Sequence, residues 1–177
     1  MASLSINDFK AKLVNGGARS NLFQVKVVFP AFAGGDTELT SYLCKGAALP
    51  ASEVANIDVM FRGKIIKVAG DRTFQPWTIT IINDNDMRIR NAFERWSAAI
   101  SAHESTNGLS NPTSYQADLT VEQLDKNGNI TKTYHIHDAY PTAIAQIDLN
   151  FDSTNTIQEF TVELNYNYWT SPESVQA

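Results

Sequence analysis

Apolar and polar residues alternate with a period of two along most of the chain, which is the pattern of half-buried β-strands. The clearest runs are LFQVKVVF (22–29), TITII (78–82), the pair 117–124 and 130–137, and IQEFTVELNYNYW (157–169). The pair flanks the turn sequence DKNG and is therefore predicted to form a hairpin. These runs predict a protein built mainly from β-strands.

Further stretches complete the strand prediction at about eight strands. ELTSYLCK (38–45) and TAIAQIDLNF (142–151) are each predicted to be extended, the second because every other residue from Ala143 to Phe151 is apolar. EVANIDVMF and RGKIIKV (53–68) meet at Phe61, Arg62 and Gly63, where a hairpin turn is predicted.

Two segments have helical spacing instead. Ile6, Phe9 and Leu13 predict a short N-terminal helix over 5–14, capped by Ser5 and stopped by the glycine pair 16–17. A second apolar face predicts the main helix, with Asn83 or Asp84 as its N-cap. Its members are Ile89, Ala92, Phe93, Trp96 and Ile100.

No repeat, low-complexity tract or linker divides the chain, so residues 1–177 are predicted to form a single domain with an N-terminal arm (1–20) and a polar surface loop (101–116). A domain with this many strands must close its sheets or offer their edges to partners. The long 53–68 hairpin, with Arg62 and Lys64 at its tip, favours pairing between copies. An ordinary closed sandwich is the alternative.

The composition of the chain excludes some classes of function. Of the 177 residues, 43% are hydrophobic and 19% charged, and the net charge is −5. The chain can therefore bury a core, and its acidity argues against wrapping nucleic acid. The one cysteine, Cys44, excludes an internal disulfide, and no stretch has the length of a membrane span, so a soluble protein of a reducing compartment with no membrane partner is expected.

Candidate chemistry is sparse. His135 and His137 share one face of a predicted strand, but Cys44 and His103 lie outside any metal-ligand spacing, so two exposed histidines are the favoured interpretation. Nucleotide-binding and nucleophile-elbow motifs are missing from the sequence. We therefore expect no enzyme activity and no cofactor.

Four stretches resemble the tail tube protein of contractile-tailed, myovirus-type bacteriophages, in the same order and over residues 20–169. They are NLFQVKV, CKGAALP, RGKIIKVAGDRTFQPWTITIIND and YPTAIAQIDLNFDSTNTIQEFTVELNYNYW. The resemblance implies two packed antiparallel sheets, as a β-sandwich or barrel, with a flanking α-helix. It also implies six copies joined edge to edge into rings, which stack into a tube that passes DNA transiently and without sequence specificity into the host.

The implied partners are further copies of the chain and the tail sheath, baseplate and tape-measure proteins. The implied location is the tail of the virion, assembled in the host bacterial cytoplasm. A tube of a type VI secretion system or of a phage-tail-like bacteriocin remains an alternative, as does a sandwich that binds ligands through its loops.

Site residues fall into three predicted groups. Subunit interfaces are expected at Leu49, Pro50, Arg62, Lys64, Asp71 and Arg72, because long loops and hairpins of the family make contacts between subunits. Asp71 and Arg72 point apart in an extended chain, so each is expected to find a partner elsewhere. The lumen candidates are Asp118, Glu122 and Asp138, and the core candidates are Phe74, Trp77, Phe93, Trp96 and Phe160.

Overall fold

A computed structural model of the chain describes residues 5–13, 17–105 and 107–174. Within these ranges the chain forms nine strands and four helices. The strands are β1 (Phe23–Val27), β2 (Cys44–Ala47), β3 (Glu53–Phe61), β4 (Lys64–Thr73), β5 (Trp77–Ile82), β6 (Ala117–Leu124), β7 (Ile130–Ile144), β8 (Glu159–Asn165) and β9 (Tyr168–Thr170). The helices are α1 (Ile6–Lys12), α2 (Thr37–Leu43), α3 (Arg88–Ile100) and α4 (Pro112–Tyr115).

Seven strands form one antiparallel sheet in the order β1-β6-β7-β8-β5-β2, with β9 also paired to β7. The long strand β7 belongs to both halves, because it pairs with β6 as far as Ala139 and with β8 from Tyr140. A bulge lies at this change of partner, and Asp138 has a φ of 58° there. Bulges bend a strand, so β7 can serve two layers. The predicted mainly-β fold with antiparallel sheets is confirmed, with β7 common to both layers.

Apolar residues from both halves of the sheet and from α3 form one buried cluster. Trp96 lies at its centre with 0% exposure, and its indole N–H donates to the carbonyl of Tyr115 at 2.6 Å. The ring of Phe29 packs edge-on against Phe93 at 5.0 Å between centroids. Of the core candidates, Trp77, Phe93, Trp96 and Phe160 are buried, and Phe74 is half-buried.

The segment 38–45, predicted as a strand, is mostly helix. Asp36 caps α2 by accepting a hydrogen bond from the backbone N–H of Leu39 at 3.0 Å, and the buried hydroxyl of Thr40 donates to the Asp36 carbonyl at 2.7 Å. The strand prediction for this segment is wrong, because capping by Asp36 and the helical spacing of Leu39, Tyr42 and Leu43 favour a helix over an extended chain. Only Cys44 and Lys45 of the segment are extended, at the start of β2.

Three other boundaries differ from prediction. α3 begins after Met87, which has a φ of 52°, and not after Asn83 or Asp84; Asp84 instead accepts a hydrogen bond from the guanidinium of Arg88 at 3.2 Å. The predicted strand 142–151 stays in the sheet only as far as Ile144. α1 ends at Lys12, and Gly16, the first glycine of the pair predicted to stop this helix, lies outside the described residues. The predicted loop 101–116 contains the short helix α4.

Candidate assembly surface

Strands β3 and β4 form a two-stranded sheet of their own. Every residue of the two strands except Gly70 is exposed. Arg62 and Gly63 form the turn with φ values of 46° and 81°, the pair of positive angles that a type I′ hairpin turn requires. The hairpin therefore has the register that its sequence predicts.

The two faces of this hairpin differ in character. Ile57 pairs with Val68 and Val59 pairs with Ile66, so four branched aliphatic side chains lie on the same side. These four residues are called the apolar hairpin face below. The other side is mixed, because it carries the oppositely charged cross-strand pair Asp58 and Lys67 and the exposed apolar pair Met60 and Ile65. The side with four consecutive paired aliphatic residues is the more uniformly apolar one, and such a face of an antiparallel sheet usually covers something.

The base of the hairpin is tied to the body by hydrogen bonds. The indole N–H of Trp77 donates to the carbonyl of Ala48 at 2.6 Å. The hydroxyl of Tyr166 and the indole N–H of Trp169 both donate to the carbonyl of Ala51, at 3.2 and 3.3 Å. Of the interface candidates in this region, Pro50 is buried and Leu49 is exposed. The hairpin therefore leaves the body from a fixed point.

A bulge in β4 marks the lower part of the hairpin, where the register shifts between Val54 and Asn56. A side chain at Gly70 would place its Cβ 3.1 Å from both the carbonyl oxygen of Ala55 and Cγ1 of Ile57. The close approach of the two strands therefore favours glycine, because any larger residue would need its neighbours to move by a few tenths of an ångström. The interface candidates Asp71 and Arg72 follow directly, and neither has an ion-pair partner within 4.0 Å in the described part of the chain.

Charge at the hairpin tip is mainly positive. Arg62 lies over the ring of Phe61, with 5.5 Å from its guanidinium carbon to the ring centroid. Lys64 is paired in register with Phe61, whereas Lys67 lies further along β4 on the opposite side, in register with Asp58. Arg62 and Lys64 are exposed, so the tip presents a basic surface at the end of the apolar hairpin face.

The lumen candidates lie on or beside β6. Glu122 is only 6% exposed, and both of its carboxylate oxygens accept hydrogen bonds from Nζ of Lys26 at 2.9 Å. Asp118 accepts from the backbone N–H of Asp138 at 3.1 Å and lies 3.4 Å from Nδ1 of His137. Asp138 accepts from the amide of Asn167 at 3.0 Å. The candidates therefore belong to two separate polar groups, the Glu122–Lys26 ion pair and the group around Asp118 and Asp138.

Two further segments expose apolar side chains that sequence analysis did not place at an interface. Leu149, Phe151 and Ile157 lie in the loop between β7 and β8, and Ile6 and Phe9 lie on α1. In the hairpin and in the β7–β8 loop, apolar and polar residues alternate although the apolar side chains are exposed. This alternation is the sequence feature that could have identified both segments as interaction surfaces.

Within residues 5–13, 17–105 and 107–174, no group of three or more His, Cys, Asp or Glu residues is placed to hold a metal ion. No helix in those ranges has the length and apolarity needed to cross a membrane.

Comparison with known proteins gives a direct match. The family described as phage tail tube protein matches residues 18–171. The chain belongs to this family. It is thereby a structural component of a phage tail and not an enzyme. The match includes the β3–β4 hairpin and the β7–β8 loop, whereas α1 precedes it.

Individual relatives agree with this assignment. Tail tube protein gp19 of Enterobacteria phage T4 is 38% identical over 155 residues, covering 86% of this chain and 90% of the relative. The tail tube protein of Serratia phage KSP90 is 30% identical over 167 residues, covering 92% and 94%. These relatives identify the chain as a tail tube protein of the contractile-tailed phages and place it in the virion tail.

Solved structures share the fold at low identity. A chain in the baseplate of the anti-feeding prophage superposes with a TM-score of 0.63 at 16% identity, covering 88% of this chain and 95% of that chain. A chain of the sheath–tube complex of an extracellular contractile injection system, PVC, superposes with a TM-score of 0.57 at 15% identity, covering 96% and 98%.

Proposed function

We propose that copies of this chain join into hexameric rings and that the rings stack into the inner tube of the phage tail, through which DNA passes into the host cell. The observation that carries this proposal is the β3–β4 hairpin. A two-stranded sheet is at best marginally stable in water when nothing packs against it. Its four aliphatic side chains, Ile57, Val59, Ile66 and Val68, therefore need a cover that their own protomer does not supply.

The edges of the main sheet support ring formation. β1 and β2 are the terminal strands of the sheet order, so each has one side without a strand partner among the described residues. Unpaired edges readily accept a strand from another chain. A β1 edge that meets a β2 edge is a heterologous contact, and such contacts close into rings when the rotation allows it.

The net charge of the chain is consistent with a conduit for DNA. The net charge of −5 repels nucleic acid, so a wall of this composition does not retain DNA. We assign Asp118, Glu122 and Asp138 to the lumen, where their carboxylates would give the wall its negative charge. Because Glu122 is paired with Lys26, Asp118 and Asp138 contribute more of the negative potential than Glu122 does.

The sheath, the baseplate and the tape-measure protein are proposed as the other partners, with assembly in the host cytoplasm. Structural neighbours of this chain belong to a sheath–tube complex and to a baseplate of contractile injection systems, which supports the first two. A tube of such an injection device, the alternative function, has support from the shared fold only. The sequence relatives are phage proteins, so the phage tail is favoured.

The test is electron microscopy and light scattering of the purified protein with and without its hairpin. In the shortened variant, residues 56–69 are replaced by Asn-Gly, which keeps a two-residue hairpin turn. The intact chain is expected to form rings or tubes and the shortened chain to remain a folded protomer. A matched control, Lys126→Glu in the exposed turn between β6 and β7, should assemble normally. Tubes from the shortened variant would contradict the proposal.

A further inference from the structure

We infer that the apolar hairpin face of one protomer packs onto the 145–158 loop of a neighbouring copy. This inference rests on the proposed function and names the surface that receives the hairpin. The two surfaces belong to the same chain, yet both are exposed in the protomer, so the cover for each must come from a second molecule.

The first part of the 145–158 loop has the sequence pattern of a β-strand, but it does not pair with another strand. Ile147, Leu149 and Phe151 alternate with polar residues; Ile147 packs against the core, whereas Leu149 and Phe151 are exposed. Ala145 still donates its backbone N–H to the carbonyl of Thr161 at 2.8 Å. From residue 146 to residue 151 the backbone N–H groups have no acceptor among the described residues. The segment is therefore free to pair with an incoming strand edge.

Apolar exposure in this loop is unusually high. Leu149 is 81% exposed and Phe151 is fully exposed, and Ile157 on the returning arm is exposed as well. Between the two arms lies a cleft of about 610 Å³, lined by residues 146–151, 153 and 156–159. Adjacent exposed apolar residues of this kind mark an interaction surface. Most residues that line the cleft are polar, and Leu149, Phe151 and Ile157 are its exposed apolar members.

Opposite charge indicates that the hairpin is the segment that binds to the 145–158 loop. The loop carries Asp148 and Asp152 and no basic residue. The hairpin tip carries Arg62 and Lys64. Opposite potentials on two surfaces favour their encounter and fix their register.

The competing apolar surface is α1, which exposes Ile6 and Phe9. Its charged side chains are Asp8, Lys10 and Lys12, so it is basic overall like the hairpin tip. Two basic surfaces repel each other, and α1 is therefore the poorer cover for the hairpin. The loop combines apolar side chains, unpaired backbone and negative charge, and α1 offers only the first.

Cross-linking between two preparations tests the contact. In a Cys44→Ala background, one preparation carries Val59→Cys and the other, marked by a size tag, carries Leu149→Cys. After co-assembly and mild oxidation, tubes should contain the tagged–untagged cross-linked pair. Met60→Cys is the matched control, because Met60 lies on the opposite face of the same hairpin and should cross-link poorly with Leu149→Cys. Phe9→Cys in place of Leu149→Cys tests α1.

The outcomes separate this inference from the proposed function. Tubes that form without the Val59–Leu149 cross-link, or that link Val59→Cys to Phe9→Cys instead, would overturn the inference and leave the function intact. A failure of the intact chain to assemble would count against the function itself and would remove the basis of the inference.

Charge reversal supplies an independent test. Arg62→Glu with Lys64→Glu should raise the protein concentration needed for assembly about tenfold, the factor that corresponds to about 1.4 kcal/mol. Asp148→Lys with Asp152→Lys should do the same. Tubes from a chain with all four changes should form near the original concentration. A chain with all four changes that assembles no better than either pair alone would show that the two surfaces do not meet.

Discussion

The strand β5 and the hairpin strand β3 have almost the same sequence pattern and opposite environments. Ile79 and Ile81 of β5 are 0% exposed, whereas Ile57 and Val59 of β3 are 53% and 45% exposed. Both strands alternate, and both carry branched aliphatic residues on one face. Alternation therefore predicts that a face will be covered, but not whether the cover comes from the same molecule.

The difference gives the hairpin a function that the core does not have. Full burial of a branched aliphatic side chain contributes about 1.5–3 kcal/mol. The four members of the apolar hairpin face are roughly half exposed, so about 3–6 kcal/mol per hairpin is available for assembly. The core has already used its apolar surface for folding. Four variants, in descending order of expected effect, test whether the core face serves folding and the hairpin face serves assembly.

Trp96→Ala should be the most damaging change to the protomer. The indole is fully buried and its N–H donates to the carbonyl of Tyr115 at 2.6 Å. Truncation of a buried tryptophan costs about 3–5 kcal/mol of the free energy of unfolding. Thermal melting of dilute protomers measures this loss. An unchanged melting temperature would show that the α3 face is not part of the core.

Val59→Ser with Ile66→Ser should leave the melting temperature of the protomer nearly unchanged and prevent assembly. The two residues form a cross-strand pair on the exposed apolar hairpin face, so the loss of about 2–3 kcal/mol falls on the interface and not on folding. Sedimentation at a series of protein concentrations measures assembly. The matched control is Met60→Ser with Ile65→Ser, the cross-strand pair of the opposite face, which should assemble better. Equal loss in both variants would show that the two faces are covered alike.

The same contrast explains how far the sequence could predict the structure. Hairpin register, the β6–β7 turn and the apolar face of α3 follow from local pattern and turn chemistry, and the structure confirms them. The strand prediction for 38–45 is wrong because the helix cap, Asp36, lies outside that segment, and the residues of the segment alone do not reveal its effect. The strand predicted over 142–151 ends at Ile144, since β8 begins only at Glu159 and leaves residues 146–151 without a ladder partner.

The candidate site was predictable only in part, for the same reason. Sequence reasoning placed the interface at the charged tip, with Arg62 and Lys64, and did not name Ile57 or Val59. Apolar residues of a strand are assigned to the core by default, because nothing in a single sequence marks a strand whose partner lies on another molecule.

Arg72→Ala should have a smaller and purely intermolecular effect. Arg72 is exposed and has no ion-pair partner within the described protomer, so its removal should not alter the melting temperature. A charge-assisted hydrogen bond to a neighbouring copy would contribute about 1 kcal/mol, which is roughly a fivefold rise in the concentration needed for assembly. Arg72→Lys, which keeps the charge, should be affected less. Parallel losses of stability and assembly would assign Arg72 to folding.

Thiol reactivity distinguishes the two regions with little disturbance of either. Cys44 begins β2 and is 8% exposed, and burial raises the pKa of its thiol from 9.0 to about 11. Only the thiolate reacts, so at pH 8 about a thousandth of Cys44 is reactive, and alkylation should be slow in protomers and in tubes alike. The neutral thiol is favoured by folding, so its contribution to stability is present below pH 9 and is lost as the pH rises through about 11.

A cysteine on the apolar hairpin face should behave differently. In a Cys44→Ala background, the thiol of Val59→Cys is half exposed in the protomer and should react rapidly at pH 8. In tubes it should become protected, because assembly covers the face. Measured alkylation rates in dilute and assembled samples give both values. If Val59→Cys reacts equally fast in both states, the hairpin face remains open to solvent in the tube, and the proposed cover by a second copy is wrong.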